Sequence, residues 1–266
     1  MATLSSCLHP DPAEPAIIVS GKDAKTVSHS LLAENVSQVQ QALESRGMRT
    51  GKRVALLLSN PHLLTVAFLS LTLNSCIAAP LNYNFKGPEF ESYYRDLNAD
   101  LVIIDEAQLA KSGAALMAAR TLNIPIATVS VSSDSSKGPV VQINFLDDPT
   151  SGSGKPDLNE LASNGSANLD GSTSALLLHT SGTTGRPKSV LLTHKNLTTS
   201  IRNIVSHYSF APSDRTPVIM PLFHIHGIVA ALLTPLFVGS AVIFPPTPTS
   251  GLRPNFLRDA AEYACT

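Results

Sequence analysis

Residues 174–192 read SALLLHTSGTTGRPKSVLL. The apolar run at 175–178 has the length and composition of a buried strand, and a second apolar run follows at 190–192. Between them, residues 179–188 hold two glycines, four hydroxyl side chains, one proline and two cations. Small residues leave backbone N–H groups accessible and hydroxyls add further donors, so this composition predicts a loop that binds an anion such as a phosphate.

Outward from this loop, apolar runs of strand length alternate with segments of helical periodicity. Strands are predicted at 16–20, 53–58, 76–80, 101–105, 126–131, 217–220 and 241–244. Helices are predicted at 30–46, 62–74, 88–97, 107–121, 194–207, 227–237 and from 256 onward. Strands that are apolar throughout and alternate with helices predict an α/β fold of doubly wound, mostly parallel sheets with flanking helices.

Composition divides the chain into three parts. Residues 1–131 are predicted to form an α/β lobe, and 174–266 carry the predicted loop and the segments after it. Residues 132–173 are rich in Ser, Gly, Asn, Asp and Pro, with a brief apolar interruption at 140–146. This middle part is either a long surface excursion or a disordered linker.

Charge and cysteine content argue against several classes of protein. Nineteen basic and twenty acidic residues, without a basic cluster, predict no nucleic-acid partner. Three widely separated cysteines, Cys7, Cys76 and Cys265, support neither a disulfide framework nor a zinc site. With 266 residues and 43% hydrophobic content, the chain is long enough to bury a sizeable core.

Neither a membrane span nor a secretory signal is expected. The apolar stretch at 222–244 is interrupted by His224, His226 and Pro235 and breaks at Gly239, which favours a buried helix followed by a buried strand. The N-terminus has no apolar region behind a basic start. The expected location is cytoplasmic.

The spacing of the loop differs from that of other nucleotide-binding and catalytic loops. A Walker A loop has four residues between its glycines, whereas Gly182 and Gly185 are separated by two and Pro187 precedes Lys188. The chain has no Gly-x-Gly-x-x-Gly fingerprint. A Gly-x-Ser-x-Gly nucleophile elbow also fails, because His179 occupies its first glycine position.

The pattern Thr-Ser-Gly-Thr-Thr-Gly-x-Pro-Lys at 180–188 resembles the signature loop of the acyl-adenylate-forming superfamily, the AMP-dependent synthetases and ligases that include the acyl-CoA synthetases. Residues 80–82 (PLN) resemble the early Pro-x-Asn turn of that superfamily, and 221–224 (PLFH) its Pro-x-Phe-His segment. The FHIHG segment at 223–227, with His179 where many members have Tyr or Phe, is similar to the oxalate–CoA ligase branch of plants and fungi. The 4-coumarate–CoA ligase branch is the near neighbour.

The resemblance implies a reaction in which a carboxylate attacks the α-phosphate of ATP and CoA then displaces AMP. It implies ATP, Mg²⁺ and CoA as cofactors or substrates. Lys188 would neutralise charge on the phosphates and, with Thr184, act in catalysis. The residues implied to hold the β- and γ-phosphates are Thr180, Ser181, Gly182, Thr183, Thr184, Gly185 and Lys188. The alternative is a hairpin loop of similar composition without function.

His224 and His226 are the candidate substrate residues. Two histidines spaced in this way could bind a metal, satisfy hydrogen bonds in the core or contact substrate, and no third ligand is indicated by spacing. A small carboxylic acid such as oxalate would benefit from imidazole donors, so we expect His226 to contact substrate and His224 to shape the pocket. His179 is expected to be a packed residue, and His194 and His207 to lie at the surface or at helix ends.

Two departures from the family pattern matter. Ser189 stands where members usually have Gly, and a positive φ there would cost about 1 kcal/mol or more. The chain also resembles only the first half of a member, and the later Tyr-Gly-x-Thr-Glu and Tyr-x-Thr-Gly-Asp segments and the C-terminal lysine are not found.

The second departure predicts an incomplete N-terminal adenylation domain that is not competent alone. The alternative is a catalytically inactive truncated product or a partner-binding module, so whether these residues alone act as an enzyme stays open. A full-length form could be peroxisomal rather than cytoplasmic.

Overall fold

A computed structural model describes residues 3–9, 14–20, 25–132, 138–146, 169–180, 188–244 and 260–266. The strands are β1 Pro15–Val19, β2 Lys25–Ser28, β3 Arg53–Leu57, β4 Ile77–Pro80, β5 Leu101–Asp105, β6 Ile126–Ser132, β7 Val140–Phe145, β8 Ser174–Thr180, β9 Lys188–Thr193, β10 Arg215–Pro217 and β11 Ala241–Phe244. The α-helices are α1 His29–Glu44, α2 Pro61–Leu73, α3 Gly87–Leu97, α4 Gly113–Thr121, α5 His194–Tyr208 and α6 Thr234–Val238. Short 3₁₀ helices span Leu4–Cys7 and Glu106–Lys111, and a π-helix, His226–Leu233, runs directly into α6.

The strands form two sheets. The larger has the order β7-β6-β5-β3-β4-β8-β9, in which the five inner strands are parallel and the two edge strands antiparallel. The smaller has the order β10-β11-β1-β2, with only β1 and β2 antiparallel. Strands from before and after residues 147–168, which lie outside the described ranges, occur in both sheets.

Helices cover both faces of the larger sheet. On one face, α3 and α4 pack over side chains such as Ala55, Val102 and Leu177. On the other face, α1, α2, α5 and the π-helix lie between the two sheets. The helix α2 is buried on nearly all sides because it occupies this central layer. These layers confirm the predicted α/β fold of mostly parallel sheets flanked by helices.

Local sequence accounts for the helix starts that orient the site. The Ser28 side chain accepts a hydrogen bond from the Leu31 N–H at the start of α1, and Asn60 caps α2, whose first residue is Pro61. The Thr193 hydroxyl accepts from the Asn196 N–H and so begins α5 directly after β9. The loop-bearing hairpin β8–β9 is therefore joined to a capped helix without a linker.

Several predicted elements differ from those observed. The helix predicted at 107–121 is split, because a 3₁₀ helix ends at Lys111 and α4 begins at Gly113. The strand predicted at 217–220 lies earlier, as β10, and the helix predicted at 227–237 is largely a π-helix. The strand β2 was not predicted, and the brief apolar run at 140–146 forms the edge strand β7. Within the described ranges, no helix is both long enough and apolar enough to cross a membrane.

Candidate functional site

The base of the predicted phosphate loop is a pair of antiparallel strands. Thr180, the last residue of β8, is the register partner of Lys188, the first residue of β9. The Thr180 hydroxyl also donates to the Lys188 carbonyl oxygen at 3.4 Å. The two ends of the segment 181–187 are thus held side by side at the carboxyl end of a parallel strand, where α/β sheets commonly bind ligands.

Five of the predicted phosphate-binding residues lie outside the described residues. They are Ser181, Gly182, Thr183, Thr184 and Gly185. The geometry of the site therefore rests on its two described ends, Thr180 and Lys188. Both are exposed, and Lys188 makes no ion pair with any other residue in the described part of the chain.

Ser189 fits its position without backbone strain. It lies in β9, and it is not among the described non-glycine residues with positive φ. A serine in extended backbone carries no left-handed penalty. The concern that this position requires glycine therefore does not apply to this chain.

Ser189 and His179 share one carboxylate on α3. The Nε2 atom of His179 lies 2.8 Å from Oδ2 of Asp96, and the Ser189 hydroxyl donates to the same oxygen. The hydrogen bond from Ser189 is the largest cause of the lowered pKa of Asp96; burial, the next largest effect, opposes it, and the His179 contact adds to the lowering. Asp96 is therefore ionised at neutral pH and can only accept hydrogen bonds, so Nε2 of His179 is the donor.

The His179 side chain is only 5% exposed and packs against an aromatic ring. The Tyr93 ring meets the imidazole edge to face, with centroids 4.4 Å apart. Phe85 stacks on Tyr93 with centroids 4.6 Å apart and planes inclined by 6°. The expectation that His179 is a packed residue agrees with this burial, but its hydrogen bond to Asp96 was not anticipated.

His224 lies on the turn that leads into the π-helix, and His226 is the first residue of that helix. The His224 N–H donates to the Pro221 carbonyl oxygen at 3.1 Å, and the His224 ring contacts that of Phe223 with centroids 4.7 Å apart. Both imidazoles are exposed, and neither shares a hydrogen bond or ring contact with Thr180 or Lys188 in the described structure. The structure thus brings the two ends of the loop together but does not join them to the histidines.

Two cavities flank this turn. The first, of about 310 Å³, opens at the carboxyl ends of β3 and β5, whose following helices cover opposite faces of the sheet. Its polar lining includes Asp105, which is buried and lies 3.2 Å from the Ser59 hydroxyl, and its apolar lining includes Phe223. A crevice between strands whose helices lie on opposite faces is a common ligand site in α/β proteins.

The second cavity, of about 340 Å³, lies between α5 and the start of the π-helix. His226, Ile225 and Val229 line it on one side, and Asn196 and Ile204 on the other. The walls are mostly apolar, so an imidazole N–H at its rim is a donor of the kind that orients a small polar ligand. His226 thus faces a cavity, whereas His224 packs against an aromatic ring.

His194 is the first residue of α5, so of the two expected places, the surface or a helix end, it occupies the helix end. It is fully buried there, not at the surface. Its Nδ1 accepts a hydrogen bond from the Leu4 N–H at 3.1 Å, and Nε2 donates to the Thr72 carbonyl oxygen at 3.2 Å. Burial lowers its pKa, so the neutral ring connects the N-terminal 3₁₀ helix to the end of α2.

Asp96 is the site residue that sequence reasoning missed. It occupies the last turn of α3, where the partial negative charge of the helix end disfavours a carboxylate. An acidic residue at that position is a weak signal that the side chain serves a contact elsewhere. Its two partners lie in strands far along the chain, so the sequence pattern did not identify them.

Comparisons with known proteins agree with this architecture. The family model described as AMP-binding enzyme matches residues 8–266. A Humulus lupulus protein named "Probable CoA ligase CCL9" is 38% identical over 230 residues, which is 86% of this chain and 41% of that protein. The oxalate–CoA ligase of Arabidopsis thaliana is 33% identical over 235 residues, which is 88% of this chain and 42% of that protein.

Among solved structures, apo MatB from Rhodopseudomonas palustris superposes with a TM-score of 0.74 at 21% identity, and the match covers 97% of this chain and 47% of MatB. At that identity the likeness concerns the fold alone. The chain spans about 40% of the length of the curated relatives described above.

Proposed function

The chain belongs to the AMP-binding enzyme family, and from this membership we propose that it forms the phosphate-binding part of an ATP-dependent acid–CoA ligase. In this reaction a carboxylate oxygen of the acid attacks the α-phosphorus of ATP, and pyrophosphate leaves. The CoA thiol then attacks the acyl carbon of the acyl-adenylate, and AMP leaves. Oxalate–CoA ligases among the relatives, from Arabidopsis thaliana and Saccharomyces cerevisiae, support oxalate as the acid.

The observation that carries the proposal is the Thr180–Lys188 pair at the base of the loop. Backbone N–H groups and hydroxyls of a short loop whose ends are fixed can surround phosphoryl oxygens without reorganising during the reaction. Lys188 would place a cation beside them, and we assign it and Thr184 to the reacting phosphate. The donors to the β- and γ-phosphates are proposed to be Thr180, Ser181, Gly182, Thr183, Thr184 and Gly185.

The histidines supply the proposed acid-binding side of the site. His226 lines the cavity next to α5, and its imidazole can donate a hydrogen bond to a carboxylate oxygen of a small dianion. His224 packs on Phe223 and would shape the pocket rather than bind the acid directly. This division of roles predicts different substrate dependence for the two histidines.

Mg²⁺ is the metal ion expected with ATP. Across the residues that the structure describes, no group of three His, Cys, Asp or Glu side chains could hold a metal ion. Mg²⁺ also prefers oxygen ligands and often binds largely through substrate phosphates. The described residues do not form a cage for this ion, so no step of the proposed reaction is assigned to it.

Binding of MgATP to the chain tests the proposal. Equilibrium dialysis with labelled ATP is expected to show weak but saturable binding, because the phosphates alone would be held. The Lys188→Ala variant should bind MgATP several-fold more weakly, whereas Lys195→Ala, which removes an exposed lysine at the start of α5, should leave binding unchanged. Absence of saturable binding in the parent chain would overturn the proposal and favour the partner-binding alternative.

Catalysis is tested by oxalate-dependent exchange between pyrophosphate and ATP. We expect little exchange from the 266 residues alone. Joining them to the remaining sequence of the Arabidopsis oxalate–CoA ligase gives a chimera in which exchange can be measured. There, Lys188→Ala should slow exchange at least about tenfold, since one cation commonly supplies a kcal/mol or more to the transition state. Equal exchange rates in the unsubstituted chimera and in its Lys188→Ala variant would remove Lys188 from the mechanism.

A further inference from the structure

The helix α3 contacts both strands of the loop-bearing hairpin through one side chain. Asp96 accepts hydrogen bonds from His179 in β8 and from Ser189 in β9. His179 and Ser189 are register partners, and the next pair toward the loop is Thr180 with Lys188. The carboxylate therefore bridges the two strands at the His179–Ser189 pair. Only the Thr180–Lys188 pair lies between this bridge and the segment 181–187.

We propose that Asp96 is a positioning residue for the phosphate loop. In this role the His179–Asp96–Ser189 bridge sets the orientation of Lys188 at the start of β9. The inference rests on the proposed function of the loop. It adds a residue of α3 that would act on the loop through its contacts with His179 and Ser189. It also gives a common purpose to His179, where many family members have Tyr or Phe, and to Ser189, where members usually have Gly.

The hairpin needs such a contact because β9 is an edge strand. Its only strand neighbour within the described residues is β8. Val190 and Leu191, which follow Ser189, are exposed, so little side-chain packing fixes the first half of β9. Edge strands fray more readily than central ones because they have fewer neighbours. A hydrogen bond from Ser189 to a helix supplies the contact that a second neighbouring strand would otherwise provide.

The other side of the bridge is packed. The His179 ring is buried against Tyr93, which lies on the same helix as Asp96 and stacks on Phe85. The groups that face Asp96 are Ser189, His179 and, at longer range, the Arg53 guanidinium, and all of them favour its ionised form. Glu89 and Asp96 face Tyr93, whose pKa is raised, first by burial and then by these charges. The bridge is therefore formed at neutral pH.

A purely electrostatic role for Asp96 makes the opposite prediction. A carboxylate near bound phosphates repels them, so its removal would tighten ATP binding if charge alone mattered. A positioning role predicts weaker binding, because the end of the loop loses its fixed direction. The sign of the change in affinity thus separates the two explanations.

The experiment compares Asp96→Ala, Asp96→Asn and Glu91→Ala. Glu91 lies on the same helix and makes no ion pair with another described residue, so its variant controls for the loss of an acidic group. Asp96→Ala should weaken MgATP binding about three- to fivefold, the size of effect expected for one partly exposed polar contact. Asp96→Asn should bind nearly as well as the parent, because its amide oxygen can still accept a hydrogen bond.

Amide hydrogen exchange provides a readout that needs no nucleotide. Asp96→Ala should speed exchange at residues 188–190, while Glu91→Ala should not, and the melting temperature should change little because Asp96 is about half exposed. A Ser189→Ala variant should weaken binding similarly, and the Asp96→Ala/Ser189→Ala pair should lose no more than either change alone.

Three results would overturn the inference. They are unchanged exchange in β9, tighter ATP binding in Asp96→Ala, or faster exchange with unaltered affinity, the last of which would make the bridge merely structural. If Asp96→Ala binds normally while Lys188→Ala does not, the positioning role fails and the proposed function stands. If the parent chain binds no ATP, the proposed function fails, and the positioning role fails with it.

Discussion

Gly227 lies directly against the backbone of Pro221. A Cβ atom added to Gly227 would stand 2.4 Å from the Pro221 carbonyl oxygen and 2.9 Å from that of Met220. Backbone oxygens cannot turn away as a flexible side chain could. The start of the π-helix, at His226, can therefore pack on the preceding turn, which carries His224, only while Gly227 has no side chain.

The Gly227→Ala substitution should displace this turn and lower stability by about 1–3 kcal/mol, the usual cost of inserting a methyl group into close packing. The matched control is Gly113→Ala at the start of α4, where an added Cβ atom would meet nothing within 4 Å. Chemical denaturation of both variants checks the expectation. Equal stabilities would show that the turn can move away from the helix at little cost.

His226→Ala should impair activity with oxalate more than with larger acids in the exchange-active chimera. The reason is that a small dianion has few apolar atoms and depends on each hydrogen-bond donor that meets it. Rates measured over a series of acids of increasing length test this, with His207→Ala, an exposed change near the end of α5, as the control. Equal losses for every acid would reject the assignment of His226 as a substrate contact.

Stability should fall below pH 6.5 because His62 is buried. Burial lowers its folded-state pKa from 6.5 to about 4, so the unfolded chain binds more protons between these values. The contribution of the neutral ring is complete above pH 6.5 and is lost as the pH falls toward 4, in total on the order of 3 kcal/mol. Denaturant unfolding across this range measures the slope.

The His62→Leu variant should flatten that slope, because it removes the buried titrating ring while keeping an apolar side chain of similar size. A remaining slope is expected from His194, whose pKa is also lowered by burial. His207→Leu controls for the loss of one histidine at an exposed position. An unaltered slope in His62→Leu would mean that other groups carry the acid sensitivity.

Tyr94→Phe should leave stability unchanged or raise it by up to about 1 kcal/mol. The Tyr94 side chain is fully buried on α3, and its hydroxyl has no hydrogen-bond partner in the described part of the structure. Removing an unsatisfied hydroxyl relieves a desolvation cost, whereas Tyr94→Ala should cost roughly 3–5 kcal/mol by leaving a cavity. Clear destabilisation by Tyr94→Phe would indicate that a bound water satisfies the hydroxyl.

Continuous apolar runs made the central strands predictable. The bounds predicted for β5 and β11 match the structure, because both strands are buried on every residue and every residue except the last of β5, Asp105, is apolar. The strand β2 was missed since it alternates only weakly and two of its four residues are exposed. The 3₁₀ helix before α4 was missed because periodicity over an Ala-rich segment does not show where Ser112 interrupts it.

The site could be predicted only where its residues are contiguous in sequence. The loop pattern predicts Thr180 and Lys188 as site residues, and the structure shows that they are register partners. Asp96 and His194 depend instead on long-range contacts, with Ser189 and with Leu4, that no local pattern encodes. Composition alone also could not show that Ser189 adopts ordinary extended backbone.

The smaller sheet has a consequence for how this protein is made. Its strand β1 pairs in parallel with β11, so that Ile17 meets Val242 more than two hundred positions later. The ribosome therefore releases β1 long before its neighbour exists, while the larger sheet can begin to assemble from local βα units. A nascent chain paused before residue 241 would carry a β1–β2 hairpin with one open edge, which is a template for pairing with another chain.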